Sequence, residues 1–162
     1  MLQQTDFAQA YALVHLPAKV ALVVTEKPLE GYNLITIEWF MRTSIQPSMI
    51  AISIGHSRFS HDCLEANRYF NLVLPGDNLH PLCNLAGSNT GREMDKFAEG
   101  KVESFPGKLH KLPVLKDAVA VFECEVVTQV KSGDHTIYVG EARHSWMNPE
   151  QELYYFDKKQ GK

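Results

Sequence analysis

The stretch GHSRFS, residues 55–60, brings together the residue types that bind a phosphate group. Ser57 and Ser60 carry hydroxyls, and Arg58 carries a guanidinium, just before a predicted helix. The first backbone N–H groups of a helix have no partner within the helix and can receive an anion. Arginine adds bidentate, charge-assisted hydrogen bonds to phosphate oxygens. Taken alone, so short a motif favours the alternative, a capped helix whose Arg58 is solvated.

A second group of polar residues lies in YNLITIEWF, residues 32–40. Asn33, Thr36 and Glu38 are polar at a place in the chain that should be central in a sheet, and Trp39 adds a large aromatic ring. Leu34, Thr36 and Glu38 point to one face of a strand, because successive side chains alternate. The pattern indicates either a solvent-facing side of the sheet or the polar lining of a site for a flat heteroaromatic ligand.

A third group lies in GREMDKF, residues 91–97, which contains Arg92, Lys96 and Phe97. These side chains can close over a ligand of that kind. The alternative is a solvated, charged loop.

Other kinds of chemistry lack a matching pattern. The seven histidines include no HExxH pair, and no Cys/His quartet has the spacing of metal ligands, so no metal site is predicted. No G-x-S-x-G, P-loop or dinucleotide-binding motif occurs. Cys63 lies near a predicted helix start, which lowers a thiol pKa, but a core-facing cysteine is the favoured interpretation. We therefore predict no catalytic acid, base or nucleophile.

The composition indicates one globular domain over residues 1–162. The chain is 44% apolar and 22% charged, with a formal net charge of -3, which argues against a general affinity for nucleic acid. No apolar run approaches the roughly 20 residues that cross a bilayer, and the first residues do not resemble a signal peptide. Three cysteines without a CxxC pair indicate reduced thiols. A cytoplasmic protein that binds neither nucleic acid nor membrane is expected.

Short strands separated by turns dominate the predicted secondary structure. Gly31 and the SGDH stretch at 132–135 signal hairpin turns. We predict helices at 5–14, 60–68 (capped by Ser60) and 78–87 (capped by Asn78 and ended by Gly87), and a long ordered loop at 88–112. We predict strands at 19–25, 32–40, 48–54, 69–75, 118–130, 136–146 and 153–157. This order favours a mainly β protein, an antiparallel barrel with two or three peripheral helices.

Four stretches, taken in order, resemble the flavin reductase family with its FMN-binding split barrel, which includes flavoredoxin-like members. They are NLITIEWFMRTSIQPSMIAISIG, HSRFSHDCLEANRYFNLVLP, GSNTGREMDKFAEG and FECEVVTQVKSGDHTIYVGE. The resemblance covers roughly residues 17–145. The sequence departs from the family pattern at Ser48, Thr90 and Ala142, where many relatives have Pro, Ser and Val.

The resemblance implies a six-stranded antiparallel Greek-key split barrel that forms a homodimer and binds FMN near the dimer interface. It places the flavin ring beside 33–39 and the ribityl-phosphate tail near 53–60. His135, in the G-D-H motif, is implied to lie near a nicotinamide. The implied cofactor-binding residues are Asn33, Thr36, Ile37, Glu38, Trp39, Ser53, Ile54, Ser57, Arg58, Ser60, Lys96 and Phe97.

The implied activity is hydride transfer from NADH or NADPH to flavin, without preference between the two nucleotides. One alternative is a flavoredoxin-like carrier that holds FMN and exchanges electrons with a protein partner. Another is a split barrel that binds flavin without catalysis. The partner is accordingly a small-molecule redox substrate or an electron-transfer protein.

Overall fold

The computed structural model describes residues 1–157, in which four α-helices, a short 3-10 turn and eleven strands form. The helices are α1 (Phe7–Val14), α2 (Phe59–Ala66), α3 (His80–Ser88) and α4 (Lys96–Glu99). The strands are β1 (Ala18–Lys19), β2 (Ala21–Glu26), β3 (Tyr32–Ile37), β4 (Phe40–Ser44), β5 (Met49–Gly55), β6 (Tyr69–Pro75), β7 (Ser104–Pro106), β8 (Pro113–Leu115), β9 (Ala118–Ser132), β10 (His135–Met147) and β11 (Tyr155–Phe156).

A seven-stranded antiparallel sheet in the order β3-β2-β6-β9-β10-β5-β4 is the main element, which confirms the predicted mainly β fold. The sheet has seven strands rather than six because the predicted strand 32–40 ends early, at Ile37, and an additional strand, β4, runs from Phe40 to Ser44. Its two edges, β3 and β4, are consecutive in the chain. Ser53 N–H donates to the Trp39 carbonyl oxygen at 3.0 Å, which extends the β4–β5 pairing by one residue. Because only Glu38 and Trp39 connect the two edge strands, the edges lie close together and the sheet curves into a barrel.

The apolar run that contains β2 is explained by burial on both of its faces. Ala21 and Val23 lie in one apolar cluster with Ile52, Leu72 and other residues of the sheet's inner face. Leu22 and Val24 lie in a second cluster, on the outer face, beneath α3 and β8. A strand buried on both sides has no alternation of polar and apolar residues.

The two predicted hairpin turns are confirmed. Gly31 lies between β2 and β3 with φ +90°, and Gly133 lies between β9 and β10 with φ +60°. Glycine adopts positive φ without the steric cost that a Cβ atom imposes. The long β9–β10 hairpin then pairs with β5 and β6 on its two outer sides.

Three local predictions were wrong in detail. Ser60 does not cap α2: the helix begins at Phe59, its N-cap residue is Arg58, and Ser60 points into the core. Asn78 does not cap the next helix, because it lies within the 3-10 turn Asp77–Leu79 that precedes α3. The predicted loop 88–112 contains α4 and β7, which are too short to produce a periodic sequence pattern.

The structure of residues 1–157 also provides findings on membrane-spanning helices and on the state of the cysteine thiols. None of the helices within residues 1–157 is long and apolar enough to cross a membrane. Cys63, Cys83 and Cys124 are free and buried. Burial raises the pKa of Cys63, and raises the pKa of both Cys83 and Cys124 to about 12. These thiols stay protonated near neutral pH, so they are poor nucleophiles.

Candidate functional site

Two adjoining cavities form a cleft between β3, β5, α2, α3 and the segment before α4. The larger, about 460 Å³, is called the basic cavity, and the smaller, about 240 Å³, the aromatic cavity. Ile35, Thr36 and Arg58 line both. A ligand that occupies one cavity can therefore extend into the other.

The basic cavity has the composition of an anion site. Within residues 1–157 its lining carries three cationic side chains and a single carboxylate, that of Glu93. Five hydroxyl residues and two asparagines complete its polar lining. The cations and hydroxyl residues are Arg58, Arg92, Lys96, Thr36, Ser57, Ser60, Ser88 and Thr90. Clustered charge of one sign in a cleft focuses the field and attracts the opposite charge.

Arg58 occupies the junction of the two cavities. It follows β5 and immediately precedes α2, and its backbone N–H donates to the Gly55 carbonyl oxygen at 3.0 Å, which closes a tight turn. No carboxylate of residues 1–157 forms an ion pair with its guanidinium. Its charge is consequently available to a ligand.

Arg92 is engaged within the protein. Its Nη2 donates to Asp62 Oδ2 at 2.7 Å, and its Nη1 donates to the Ser57 carbonyl oxygen at 3.2 Å. The guanidinium also lies 5.3 Å from the centre of the Phe59 ring. Arg92 therefore ties the segment before α4 to the beginning of α2 and fixes one wall of the basic cavity.

Lys96, the first residue of α4, is buried at the back of the basic cavity. Its Nζ donates to the carbonyl oxygens of Leu34 at 2.7 Å and Ala86 at 2.8 Å. Burial, with a smaller contribution from the Arg58 charge, lowers the pKa of Lys96 to about 8. The neighbouring Phe97 lines neither cavity. It packs on the outer apolar cluster, with its ring centre 6.3 Å from that of Tyr32.

Asn33 and Ser60 form the buried floor of the basic cavity. Asn33 Nδ2 donates to Ser60 Oγ at 2.8 Å, while Asn33 Oδ1 is buried without a partner among the described residues. Gly91 lies against this amide so closely that a Cβ atom there would clash with Asn33 Oδ1. The glycine thus allows the loop to approach β3.

The aromatic cavity is bounded by an aromatic pair and by a tyrosine from the N-terminal helix. The ring centres of Trp39 and His135 lie 4.8 Å apart at an interplanar angle of 45°. His135 also pairs with Asp134. Tyr11, on α1, donates its hydroxyl to Glu38 Oε1 at 3.3 Å. Nothing in the sequence connected Tyr11 with this cleft, because its aromatic spacing on α1 indicated only an amphipathic helix.

Backbone and apolar groups from β3 and β5 supply the rest of the aromatic cavity. Ile35, Ile37 and Ile54 provide apolar walls, and Ser53 adds a hydroxyl. Thr36 Oγ1 donates to the Cys83 carbonyl oxygen at 2.6 Å, which joins the end of β3 to α3. Flat apolar walls with few polar groups are typical of sites for ring ligands.

The structure brings the predicted cofactor-binding residues together, with the exception of Phe97. Each of the others lines one or both cavities, and the predicted nicotinamide residue His135 lines the aromatic cavity. His56 and His61 line neither cavity. Their Nε2 atoms lie 3.0 and 3.3 Å from Thr136 Oγ1 instead. No group of three His, Cys, Asp or Glu side chains within residues 1–157 is arranged to hold a metal ion.

Comparison with known proteins gives a family match over most of the chain. Residues 13–162 match the flavin reductase like domain family. An uncharacterized protein of Archaeoglobus fulgidus is 32% identical over 130 residues, which span 79% of this chain and 71% of that protein. The FMN reductase (NADH) RutF of Variovorax paradoxus is 27% identical over 160 residues, 98% of this chain and 85% of that protein.

Solved structures include a similar fold. An FMN-binding protein from Thermus thermophilus, with bound 1-cyclohex-2-enone, superposes with a TM-score of 0.77 and 28% sequence identity. The match covers 91% of this chain and 79% of that protein.

Proposed function

The chain belongs to the flavin reductase like domain family, and from this premise we propose that it binds FMN and reduces it with NADH or NADPH. The observation that carries the proposal is the position of Arg58. Its guanidinium has no ion pair within residues 1–157 and lies where a cationic cavity meets an aromatic one. FMN has the complementary shape, an anionic tail joined to a flat ring.

The donor set of the basic cavity fits the phosphate end of FMN. Arg58 and the hydroxyl of Ser57 supply hydrogen bonds at the beginning of α2, where helix N–H groups also favour an anion. Lys96 adds positive charge from the back of the cavity. Asn33 and Ser60 line its floor, where they complete the polar surface that faces the tail of the cofactor.

The aromatic cavity fits the flavin ring. Ile37, Ile54 and Trp39 supply apolar and aromatic surface, and Ser53 and Glu38 supply polar groups at its edge. Because β3 is an edge strand, its outer backbone groups have no partner strand. Leu34 offers its carbonyl oxygen to Lys96, and alternate residues of a strand point the same way, so the backbone of Thr36 faces this cleft too.

When bound, FMN supplies the acceptor for a hydride from nicotinamide C4, while the protein binds and orients both partners. Arg58 and Lys96 hold the tail of the cofactor and take no part in the transfer. The backbone N–H of Thr36, which faces the cleft, would stabilise negative charge that develops on the flavin ring. His135, beside Trp39, contacts the nicotinamide. Hydride transfer itself needs no general acid or base, so the proposal assigns neither role to a side chain of this cleft.

The names of two relatives support the proposal. The Variovorax protein is an FMN reductase that uses NADH, and the Thermus protein is an FMN-binding protein.

We further propose, from the family resemblance, that the protein is a cytoplasmic homodimer, with FMN near the subunit interface. Sedimentation equilibrium with and without FMN tests the dimer, and a single monomeric species in both samples contradicts it.

The visible spectrum of the purified protein, reconstituted with FMN, tests the proposed activity. We expect the bound flavin to lose its visible absorbance under anaerobic conditions when NADH or NADPH is added. If both nucleotides fail and dithionite succeeds, the protein is an electron carrier that a protein partner reduces. If the protein takes up no FMN, the proposal of a flavin-dependent redox protein is wrong.

A further inference from the structure

The N-terminal helix α1 is held loosely against the barrel. None of its residues is buried, and Phe7 and Leu13 are 81% and 85% exposed. Its first turn is closed locally, by the Asp6 carboxylate that accepts from Gln9 N–H at 2.9 Å. The chain is anchored only after the helix, where Leu16 packs on the outer apolar cluster. A helix of this length with no buried face has little stability of its own.

One side chain of α1 nevertheless reaches the proposed redox site. The rings of Phe7, Tyr11 and His15 stack along one face of the helix, with centres 5.6 and 5.7 Å apart. The middle ring, that of Tyr11, forms part of the wall of the aromatic cavity, together with Trp39. Tyr11 is therefore turned toward the cavity, while Phe7, one turn earlier, remains exposed.

A single polar contact holds Tyr11 in this position. Its hydroxyl donates to Glu38 Oε1 at 3.3 Å, the one side-chain hydrogen bond between α1 and the barrel among the described residues. Glu38 lies in the short segment that joins the two edge strands of the sheet. The helix is thus connected to the backbone segment that we propose to lie beside the flavin ring.

We propose that α1 is a lid and that Tyr11 is a ligand-binding residue, which contacts a planar heteroaromatic ring in the aromatic cavity. The inference rests on the proposed function, because that function supplies the ring. The ring belongs either to the flavin or to the nicotinamide, since both present the same flat π-surface. A ring in the cavity gives Tyr11 the stacking partner and the buried surface that α1 lacks. Ligand binding therefore orders the helix.

Hydrogen–deuterium exchange of the peptides that cover residues 7–14 tests this directly, without catalysis. Exchange is compared for the protein alone, with FMN, and with FMN plus the unreactive product NAD⁺ or NADP⁺. Slower exchange with FMN alone identifies the flavin as the contact. Slower exchange only after the nucleotide is added identifies the nicotinamide. Unchanged exchange in all samples overturns the lid.

Substitutions separate the contact of Tyr11 from the fold of α1. We expect Tyr11→Ala to weaken binding of the identified ligand about threefold to tenfold, the value of one aromatic contact, and to abolish the slowing of exchange. Tyr11→Phe keeps the ring but loses the hydrogen bond to Glu38, so we expect it to weaken binding less than Tyr11→Ala does. Leu13→Ala, on the exposed side of the same helix, is the matched control and leaves both measurements unchanged. Wild-type affinity in Tyr11→Ala overturns the role of Tyr11.

The same titrations distinguish the two proposals. If wild-type protein does not bind FMN, the proposed function is wrong and the lid is wrong with it. If FMN binds and a nucleotide reduces it while Tyr11→Ala behaves as the wild type does, only the lid is wrong.

Discussion

Lys96 Nζ lies 2.7 Å from the carbonyl oxygen of Leu34, to which it donates a hydrogen bond across 62 positions of the chain. A second hydrogen bond reaches the Ala86 carbonyl oxygen at 2.8 Å. One buried ammonium group therefore joins α4 to β3 and α3, the elements that surround the basic cavity. The same group contributes charge to the cavity, so Lys96 has both a structural and a proposed ligand-binding role.

The lowered pKa of Lys96 makes stability depend on pH in a defined window. The pKa is about 8 in the folded protein, against an ordinary value of 10.5. Between these values the unfolded chain holds more protons, so the contribution of Lys96 to the free energy of unfolding rises with pH. We expect the wild type to gain, relative to Lys96→Met, about 1 kcal/mol per pH unit at most between pH 8 and 10. Urea denaturation of both proteins across this range measures the gain.

The comparison with Lys96→Met is necessary because other groups act in the opposite direction. Burial raises the pKa of Cys83 and Cys124, so their contributions to stability fall as pH rises through the same region. These thiols are present in both proteins and cancel in the difference. A difference in free energy of unfolding that stays constant from pH 8 to 10 contradicts the prediction.

Replacement of Ser60 by alanine should destabilise the protein even without a ligand. Asn33 Nδ2 donates to Ser60 Oγ inside the core, and Asn33 Oδ1 already has no partner among the described residues. Loss of the hydroxyl leaves the amide without a partner on either side, at a cost of about 1–3 kcal/mol. Chemical denaturation of Ser60→Ala and the wild type measures this loss in the free energy of unfolding. Ser57→Ala, an exposed residue of the same turn, is the control and should unfold as the wild type does.

The sheet was predictable because its signals are local. The hairpin glycines predict turns, and the alternation of residue types along β9 predicts a strand. Both patterns depend on residues that are close in the chain or directly across a turn. The division of strand 32–40 was not visible, because Glu38 and Trp39 continue the alternating pattern without interruption. The break is required because the chain must pass from β3, at one edge of the sheet, to β4, at the other edge.

The burial of two charged side chains and the contact of α1 with the cleft could not be predicted from the sequence, for a different reason. A lysine in DKF and a glutamate in FECEV have the composition of surface residues, yet Lys96 and Glu123 are buried. Apart from the side chain of Trp146, their partners are backbone groups distant in the chain, whose positions cannot be inferred from residue types. Tyr11 likewise meets Glu38 through the packing of α1 on the finished barrel.

Glu123 is the second buried charge, and its neutralisation should destabilise the protein. The carboxylate accepts from Trp146 Nε1 at 2.6 Å and from the backbone N–H groups of Lys108 and Leu109. In Glu123→Gln, an amide N–H must face one of these donors, and charge-assisted hydrogen bonds are lost, a cost of about 1.5–3 kcal/mol. Thermal and urea denaturation of Glu123→Gln and the wild type measure the loss in stability. Glu125→Gln, at a half-buried position, loses an ion pair with Arg143 and should change stability by less than about 1 kcal/mol.

Arg58→Ala should weaken FMN binding by about 1.5–3 kcal/mol, the range for hydrogen bonds to a charged group. The guanidinium has no ion pair to lose within residues 1–157, so the unfolding transition should not move. Fluorescence titration of FMN measures the dissociation constant. Arg143→Ala, which removes a surface arginine paired with Glu125 and Glu141, is the control. Unchanged affinity in Arg58→Ala removes this residue from the phosphate site.

His135 provides the sharpest test of where the nicotinamide binds. Its ring lies 4.8 Å from that of Trp39 in the aromatic cavity, and its partner Asp134 holds it at the end of the β9–β10 turn. We expect His135→Ala to raise KM for the nucleotide about twofold to tenfold, the value of one hydrogen bond or ring contact, with little change in FMN affinity. Steady-state kinetics that separate KM from kcat measure this effect. His110→Ala, whose ring stacks on Tyr69 outside both cavities, is the matched control. If both histidine variants retain wild-type kinetics, His135 is only a residue of the hairpin turn, and the nucleotide must approach the flavin from another side of the cleft.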